Sequence, residues 1–234
     1  MTCFPVLRSM DSMRTKIVKI DPTNPDARIL ERAARLISRS EVLVCPTDTG
    51  YAFSADALDP RAVAKVFHLK GRVFSNPIHV AVSSIAEAEK YAHLTEAARY
   101  LAGRYLPGAL TLVLKKKESI PAMLVAGLDT VGLRIPDNKI ILKLAEITGR
   151  PLTATSANIS GRPGAYSIEE VVAQLSDNLA SVALVLDQGP LKTRELSTIV
   201  DLSVSPPQLI RQGRISWLEI RELLNMFHKS EEIV

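Results

Sequence analysis

The segment Pro151-Leu152-Thr153-Ala154-Thr155-Ser156-Ala157-Asn158-Ile159-Ser160-Gly161 runs from a short extended stretch, Pro151 to Thr155, into a loop of small polar groups. Hydroxyls and amides at the end of a strand are what an α/β sheet presents to a ligand, because the carboxyl ends of its strands open onto the binding crevice. Taken alone, Ser, Asn and Gly are also ordinary turn residues. A second segment is built the same way. Val42 to Cys45 is an apolar run closed by Pro46, the mark of a buried strand, and Pro46-Thr47-Asp48-Thr49-Gly50-Tyr51 follows directly.

Working outward, short apolar runs predict further strands at Lys16 to Ile20, Ile78 to Val82, Leu110 to Leu114, Val131 to Ile135, Val182 to Leu186, Thr198 to Leu202 and Gln208 to Ile210. Helical spacing places Ile29, Leu30, Ala33, Ala34 and Ile37 on one face of a helix from Asp26 to Ser38. Other helices are expected at Pro60 to Leu69, Ser84 to Tyr91, Thr95 to Tyr105, Lys139 to Thr148 before Gly149, Ser167 to Leu175 and Ser216 to Phe227. Ser84 with Glu87, and Ser167 with Glu170, have capping-box spacing. Strands and helices interleave without a strict βαβ rhythm. That predicts one α/β domain built on a twisted mixed sheet with flanking helices.

The 234 residues, 47% hydrophobic, can bury one substantial core and suit one domain better than two. A net charge of +4 fits an anionic small molecule as readily as nucleic acid, and there is no long Lys/Arg run. No apolar stretch approaches the roughly 20 residues that span a bilayer. The two cysteines, Cys3 and Cys45, predict no disulfide, and a cytoplasmic, reducing location is expected. Walker loop, dinucleotide fingerprint, nucleophile elbow and paired-His zinc spacing are all missing from the sequence. A phosphate site would therefore have to come from side chains and loop amides.

Several short motifs can supply one. Lys70-Gly71-Arg72 is followed by Asn76-Pro77; if extended, it points Lys70 and Arg72 to one side. An ammonium beside a planar guanidinium suits a polyphosphate, although two cations at a helix end also simply face water. Arg134 interrupts an apolar strand, so it needs a carboxylate: Asp48, Asp137 or a substrate's. Ser197-Thr198 and Arg211-Gln212-Gly213-Arg214 add hydroxyls and cations late in the chain. Cys45 reads as core, with no histidine evidently placed to activate it.

Together with Leu106-Pro107-Gly108, Leu110-Thr111 and Gly132-Leu133-Arg134-Ile135-Pro136, these motifs resemble the YrdC-type threonylcarbamoyl-AMP synthases in order and spacing from about Lys16 to Ser216. The K-x-R and S-x-N pair is the specific part. The resemblance implies a YrdC-like fold with a concave basic cavity. Residues 1–15 would be a disordered leader, 16–228 the domain and 229–234 a tail, in a short form without the extra C-terminal domain.

The resemblance further implies formation of L-threonylcarbamoyladenylate and pyrophosphate from L-threonine, bicarbonate and ATP, with Mg²⁺. That product would pass to a downstream tRNA-modifying transferase complex for N6-threonylcarbamoyladenosine at position 37, with weak tRNA or RNA binding as an added expectation. By matching positions, Lys70, Arg72, Asn76, Thr130, Ser156, Asn158, Gly164 and Arg211 would hold ATP, Lys70 and Arg72 also stabilising the departing pyrophosphate. Thr49, Arg134, Ala154 and Ser197 would receive threonine. Ala81 stands where long archaeal members have a threonine-contacting histidine, with His79 two residues earlier on what should be the same side. Gly50-Tyr51-Ala52-Phe53 and Leu196 also depart from the usual pattern. Rival readings are a YrdC-like paralogue of uncertain role, a double-stranded RNA or tRNA-binding module without catalysis, and a carbamoyl-adenylate domain of the hydrogenase-maturation type.

Overall fold

A computed structural model describes residues 16–231; the leader and the last three residues of the tail lie outside the described part. Strands and helices are numbered along the chain. The mixed α/β character is as the sequence predicts, but the strands divide into two sheets. The first has the order β1 (Lys16–Lys19), β9 (Leu184–Asp187), β2 (Leu43–Pro46), β3 (Tyr51–Ser54) and β8 (Thr155–Ser156). In the second the order is β11 (Gln208–Arg211), β10 (Thr198–Asp201), β5 (Leu110–Lys115), β6 (Thr130–Arg134), β4 (Val80–Ala81) and β7 (Leu152–Thr153).

Both sheets mix parallel and antiparallel pairs: β2 runs parallel to β9 and antiparallel to β3, and β5 runs parallel to β10 and antiparallel to β6. The predicted strand from Pro151 to Thr155 is in fact two. It breaks at Ala154, where the chain leaves the second sheet for the first, and Ala154 N–H donates to His79 O (2.8 Å) at the crossing. The predicted loop after Pro46 is a tight turn closed by Thr47 N–H to Gly50 O (3.0 Å), and Tyr51 to Ser54 returns as a strand.

The helices are α1 (Ala27–Ile37), α2 (Pro60–Lys70), α3 (Ile85–Ala88), α4 (Glu96–Tyr105), α5 (Lys139–Thr148), α6 (Ile168–Leu175) and α7 (Trp217–Glu231). Local chemistry sets their ends. Asp26, Asp59, Asn138 and Ser167 each accept a backbone N–H in the first turn, and Gly149 closes α5 in the left-handed conformation. In α6 only half of the capping box forms. The Ser167 hydroxyl accepts from Glu170 N, but the Glu170 carboxylate reaches Tyr166 N (2.8 Å).

Side-chain alternation then sorts the core. Leu43, Cys45, Leu184 and Leu186 pack with α1 and α5, while Val44 and Val185 face the larger core on the opposite side of the first sheet. In the second sheet Val131 and Leu133 of β6, with Leu110, Leu112 and Leu114 of β5, fill that larger core. Gly132, Arg134 and Thr111 are thereby turned to the other face. That face is where the site lies.

Candidate functional site

A cavity opens between the two sheets. The first sheet contributes Tyr51, Thr155 and Ser156, the second Thr111, Arg134 and Arg211, and the turns and connecting segments Thr49, Gly50, Arg72, His79, Ala154 and Ser197. The empty space within it, mouth included, is about 720 Å³. Among the described residues no carboxylate lines it, whereas three guanidinium groups do, so it suits an anion.

Arg134 forms the deep end. It is only 6% exposed, and Nη2 donates to Asp48 Oδ1 (2.6 Å) while Nη1 donates to Thr49 Oγ1 (2.6 Å). Of the carboxylates considered from the sequence, the partner is Asp48. Thr49 is held in turn by Thr47, whose hydroxyl accepts Thr49 N–H (3.1 Å) and donates to Gly50 O (2.7 Å). Arg134 Nε is buried without a partner among the described residues. An orphaned buried donor in a native structure calls for an explanation, and on a cavity wall a ligand oxygen would supply one.

Arg72 and Arg211 form the outer end. Arg72 donates to the backbone carbonyls of Asn76 (3.1 Å) and Pro77 (3.0 Å), and Arg211 to Ser197 O (3.0 Å) and Ser197 Oγ (3.0 Å). Neither has a carboxylate partner among the described residues. Burial lowers the proton affinity of both, and Arg134 lowers that of Arg211 further. A register shift between Ile199 and Val200 sets Arg211 opposite Ile199, a bulge that aims the side chain toward the cavity. Gly213 is required just beyond, since a Cβ there would collide with the backbone of Leu196, Ser197 and Thr198. Ser197 Oγ also lies 2.9 Å from Thr111 Oγ1.

Lys70 sits elsewhere than an extended K-x-R predicts. It is the last residue of α2, and Gly71 caps that helix with φ +55°. The left-handed cap turns Lys70 inward and leaves Arg72 on the cavity. Lys70 is 2% exposed, and its ammonium donates to Ser156 O (2.6 Å), Asn158 O (3.2 Å) and Asn158 Oδ1 (2.7 Å). Ser156 Oγ donates to the same Oδ1 (2.6 Å). Burial first, and then Arg72, pushes Lys70 down to about 7. The two motifs therefore do meet, but as a buried cross-link behind the wall, and only Arg72 and Ser156 of the four residues line the space.

The remaining expectations divide. Thr49, Ala154 and Ser197 line the cavity with Arg134. Asn76 is exposed and offers its carbonyl to Arg72. Thr130 shares a strand face with Arg134 but lies at the other end of β6, opposite Lys115, and Gly164 packs on the Tyr166 ring. Ala81 is buried beside α5, so His79 and not Ala81 reaches the cavity. Cys45 is core, its thiol pushed up to about 12 by burial. Tyr51 was not expected in the site; its hydroxyl donates to Gly189 O (2.8 Å), fixing the strand that leaves the Thr47–Gly50 turn.

This geometry defines a class: an α/β protein with a recessed anion pocket at the junction of two mixed sheets. The family model Sua5_yciO_yrdC, described as "Telomere recombination", matches residues 35–213, and the chain belongs to that family. It is 39% identical over 193 residues to the threonylcarbamoyl-AMP synthase of Pyrococcus abyssi, which covers 82% of this chain and 56% of that protein. A Methanocaldococcus jannaschii relative is 38% identical over 205 residues, 87% of this chain and 95% of its own. Among solved structures, P. abyssi Sua5 complexed with L-threonine superposes with a TM-score of 0.84 at 36% identity, covering 89% of this chain and 61% of that one. The chain thus spans little more than half of the P. abyssi relative. Among the described residues no helix is long and apolar enough to cross a membrane.

Proposed function

We propose that the chain is a threonylcarbamoyl-AMP synthase, joining L-threonine, bicarbonate and ATP into L-threonylcarbamoyladenylate with release of pyrophosphate. The product would serve N6-threonylcarbamoyladenosine formation at tRNA position 37, handed to a tRNA-modifying transferase complex in the cytoplasm. The carrying observation is Arg134: a buried guanidinium whose Nε has no partner among the described residues, in the same cavity as two guanidiniums that have no carboxylate partner among them. The first suits the amino acid's carboxylate and the other two suit phosphates. A relative whose structure holds L-threonine supports the choice of amino acid.

Carbamate formation consumes the free amine: R–NH₂ plus HCO₃⁻ gives R–NH–COO⁻ and water. The carbamate oxygen then attacks the α-phosphorus, the bond to the β-phosphate oxygen breaks, and pyrophosphate leaves with the electron pair. No protein nucleophile takes part. The work of the chain is to position the reactants, exclude water from a short-lived carbamate and neutralise developing charge. Arg72 and Arg211 are placed for the charge, and Lys70 supports it indirectly by holding the Ser156–Asn158 loop.

Among the described residues no cluster of His, Cys, Asp or Glu is arranged to hold a metal ion, and the cavity wall has no carboxylate. Mg²⁺ fits this site only as an ion carried by the nucleotide's own phosphates.

The direct test is pyrophosphate release from purified protein with ATP, Mg²⁺ and bicarbonate. Release is expected only when L-threonine is present. Folded protein that releases none, or releases it equally without threonine, removes the synthase reading.

A further inference from the structure

The His79 imidazole lines the cavity and takes part in none of the hydrogen bonds among the described residues. It stands just before β4, and its ring lies on the bare backbone of Gly132, where a Cβ would collide with Cδ2 of the imidazole. Val131 and Leu133 point into the core on either side, so the missing side chain in β6 leaves a seat on the cavity face beside Arg134. No protein group among the described residues hydrogen-bonds the imidazole nitrogens, and the residue's hydrogen bond is through its carbonyl, which accepts from Ala154 N–H. A ring held in place with both nitrogens unspent, on a cavity wall, is placed to exchange a proton with a ligand.

We propose that His79 accepts the proton that the amino-acid substrate's ammonium group must lose before its nitrogen can attack bicarbonate. This rests on the synthase reading of the same cavity. The step balances: R–NH₃⁺ and neutral imidazole give R–NH₂ and imidazolium, and the free amine then forms the carbamate. The groups facing the ring are Arg134 from β6, Arg211 from β11 and Arg72 from the segment after α2, with Thr111 and Ser197 neutral. Tyr51 turns its hydroxyl away to Gly189, and Asp48 is spent on Arg134.

Burial, followed by Arg211, Arg72 and Arg134, holds the imidazole down to about 4. It is thus neutral near pH 7, as a proton acceptor must be. A triphosphate and a substrate carboxylate cancel the three positive charges that oppose imidazolium, so the ring becomes a stronger base as the substrates arrive. Proton removal is thereby tied to the presence of the nucleotide that will trap the carbamate.

Two measurements on the full chain decide it. The first is an NMR titration of the histidine rings, with His79 assigned by its disappearance in His79→Gln. The His79 midpoint is expected to rise by about two units, a hundredfold gain in proton affinity, when a non-hydrolysable ATP analogue and L-threonine saturate the site. A midpoint that stays put overturns the proposal, and this arm needs no active variant. The second is the pH profile of threonine-dependent pyrophosphate release by His79→Gln. Near pH 7 a loss of about 10²-fold is expected with the KM for ATP unchanged, and the deficit should shrink as pH rises and free amine becomes plentiful. Full activity, or a deficit equal at every pH, overturns the base role while leaving the synthase reading intact. A wild-type protein without threonine-dependent release removes both.

Discussion

The two ends of the cavity hold the same functional group in opposite electrostatic conditions. At the deep end Arg134 has an internal counter-charge, Asp48, and a hydroxyl from Thr49. At the outer end Arg72 and Arg211 are bonded to carbonyls and one hydroxyl, with no carboxylate paired to either among the described residues. A buried guanidinium with an aspartate is part of the fold as well as of the site, because its removal strands a charge. Half-buried guanidiniums held only by neutral acceptors carry surplus charge, which a polyanion can use. The deep end should thus couple stability to binding, and the outer end should affect binding alone.

The largest effect is expected from Arg134→Ala. It should abolish threonine-dependent pyrophosphate release and, by leaving Asp48 unpaired, lower unfolding free energy by about 3 kcal/mol in urea melts. The double variant Arg134→Met with Asp48→Asn should recover most of that stability and none of the activity. If the double variant is as unstable as the single, the deep end is not an ion pair of the fold.

Lys70→Met should come next, costing about 1–3 kcal/mol, because the Asn158 carbonyl loses its donor and Ser156 O and Asn158 Oδ1 each lose one of two. Its pH dependence has a definite sign. Lys70 titrates near 7 when folded and near 10.5 ordinarily, so between those values the unfolded chain binds more protons. Wild-type stability should therefore gain on Lys70→Met as pH rises from about 7 to 10, by on the order of 1–3 kcal/mol. A constant difference between the two proteins over that range would mean the Lys70 ammonium is not penalised by burial.

Arg72→Ala should weaken nucleotide binding by about tenfold in calorimetry, while the melting temperature stays unchanged. A large fall in melting temperature with intact affinity would erase the contrast between the two ends. The smallest effect belongs to Gly71→Ala, about 1 kcal/mol from forcing a side chain into a left-handed cap. Nothing lies within 4 Å of the added Cβ, so the cost is conformational and not steric.

Much of this was legible in the residues themselves. Lys139 to Thr148 with Gly149, Pro60 to Leu69, and the buried run from Val42 could be read from apolar period and capping chemistry, which act over a few residues. The pocket walls were found because Thr49, Arg134, Ala154, Ser156, Ser197, Arg72 and Arg211 belong to a motif set with a recognisable order. What escaped was geometric. The strand break at Ala154 was hidden because Pro151 to Thr155 has a continuous extended pattern, and nothing local says that its two halves pair with different sheets. The turning away of Lys70 was missed because an extended K-x-R and a helix ending at Lys70-Gly71 have the same letters.

By itself the sequence determined the α/β class, the surplus of cations over carboxylates in the site motifs, and the strand alternation that faces Gly132, Arg134 and Thr111 away from the core. Only the tertiary structure decided that Arg134 pairs with Asp48, that Lys70 is a cross-link while Arg72 is a wall, and that His79 has a seat on Gly132. The physical reason is separation along the chain. Arg134 and Asp48 are 86 residues apart, as are Lys70 and Ser156, and contacts of that span are selected by how two sheets pack and not by any periodicity a local stretch can carry.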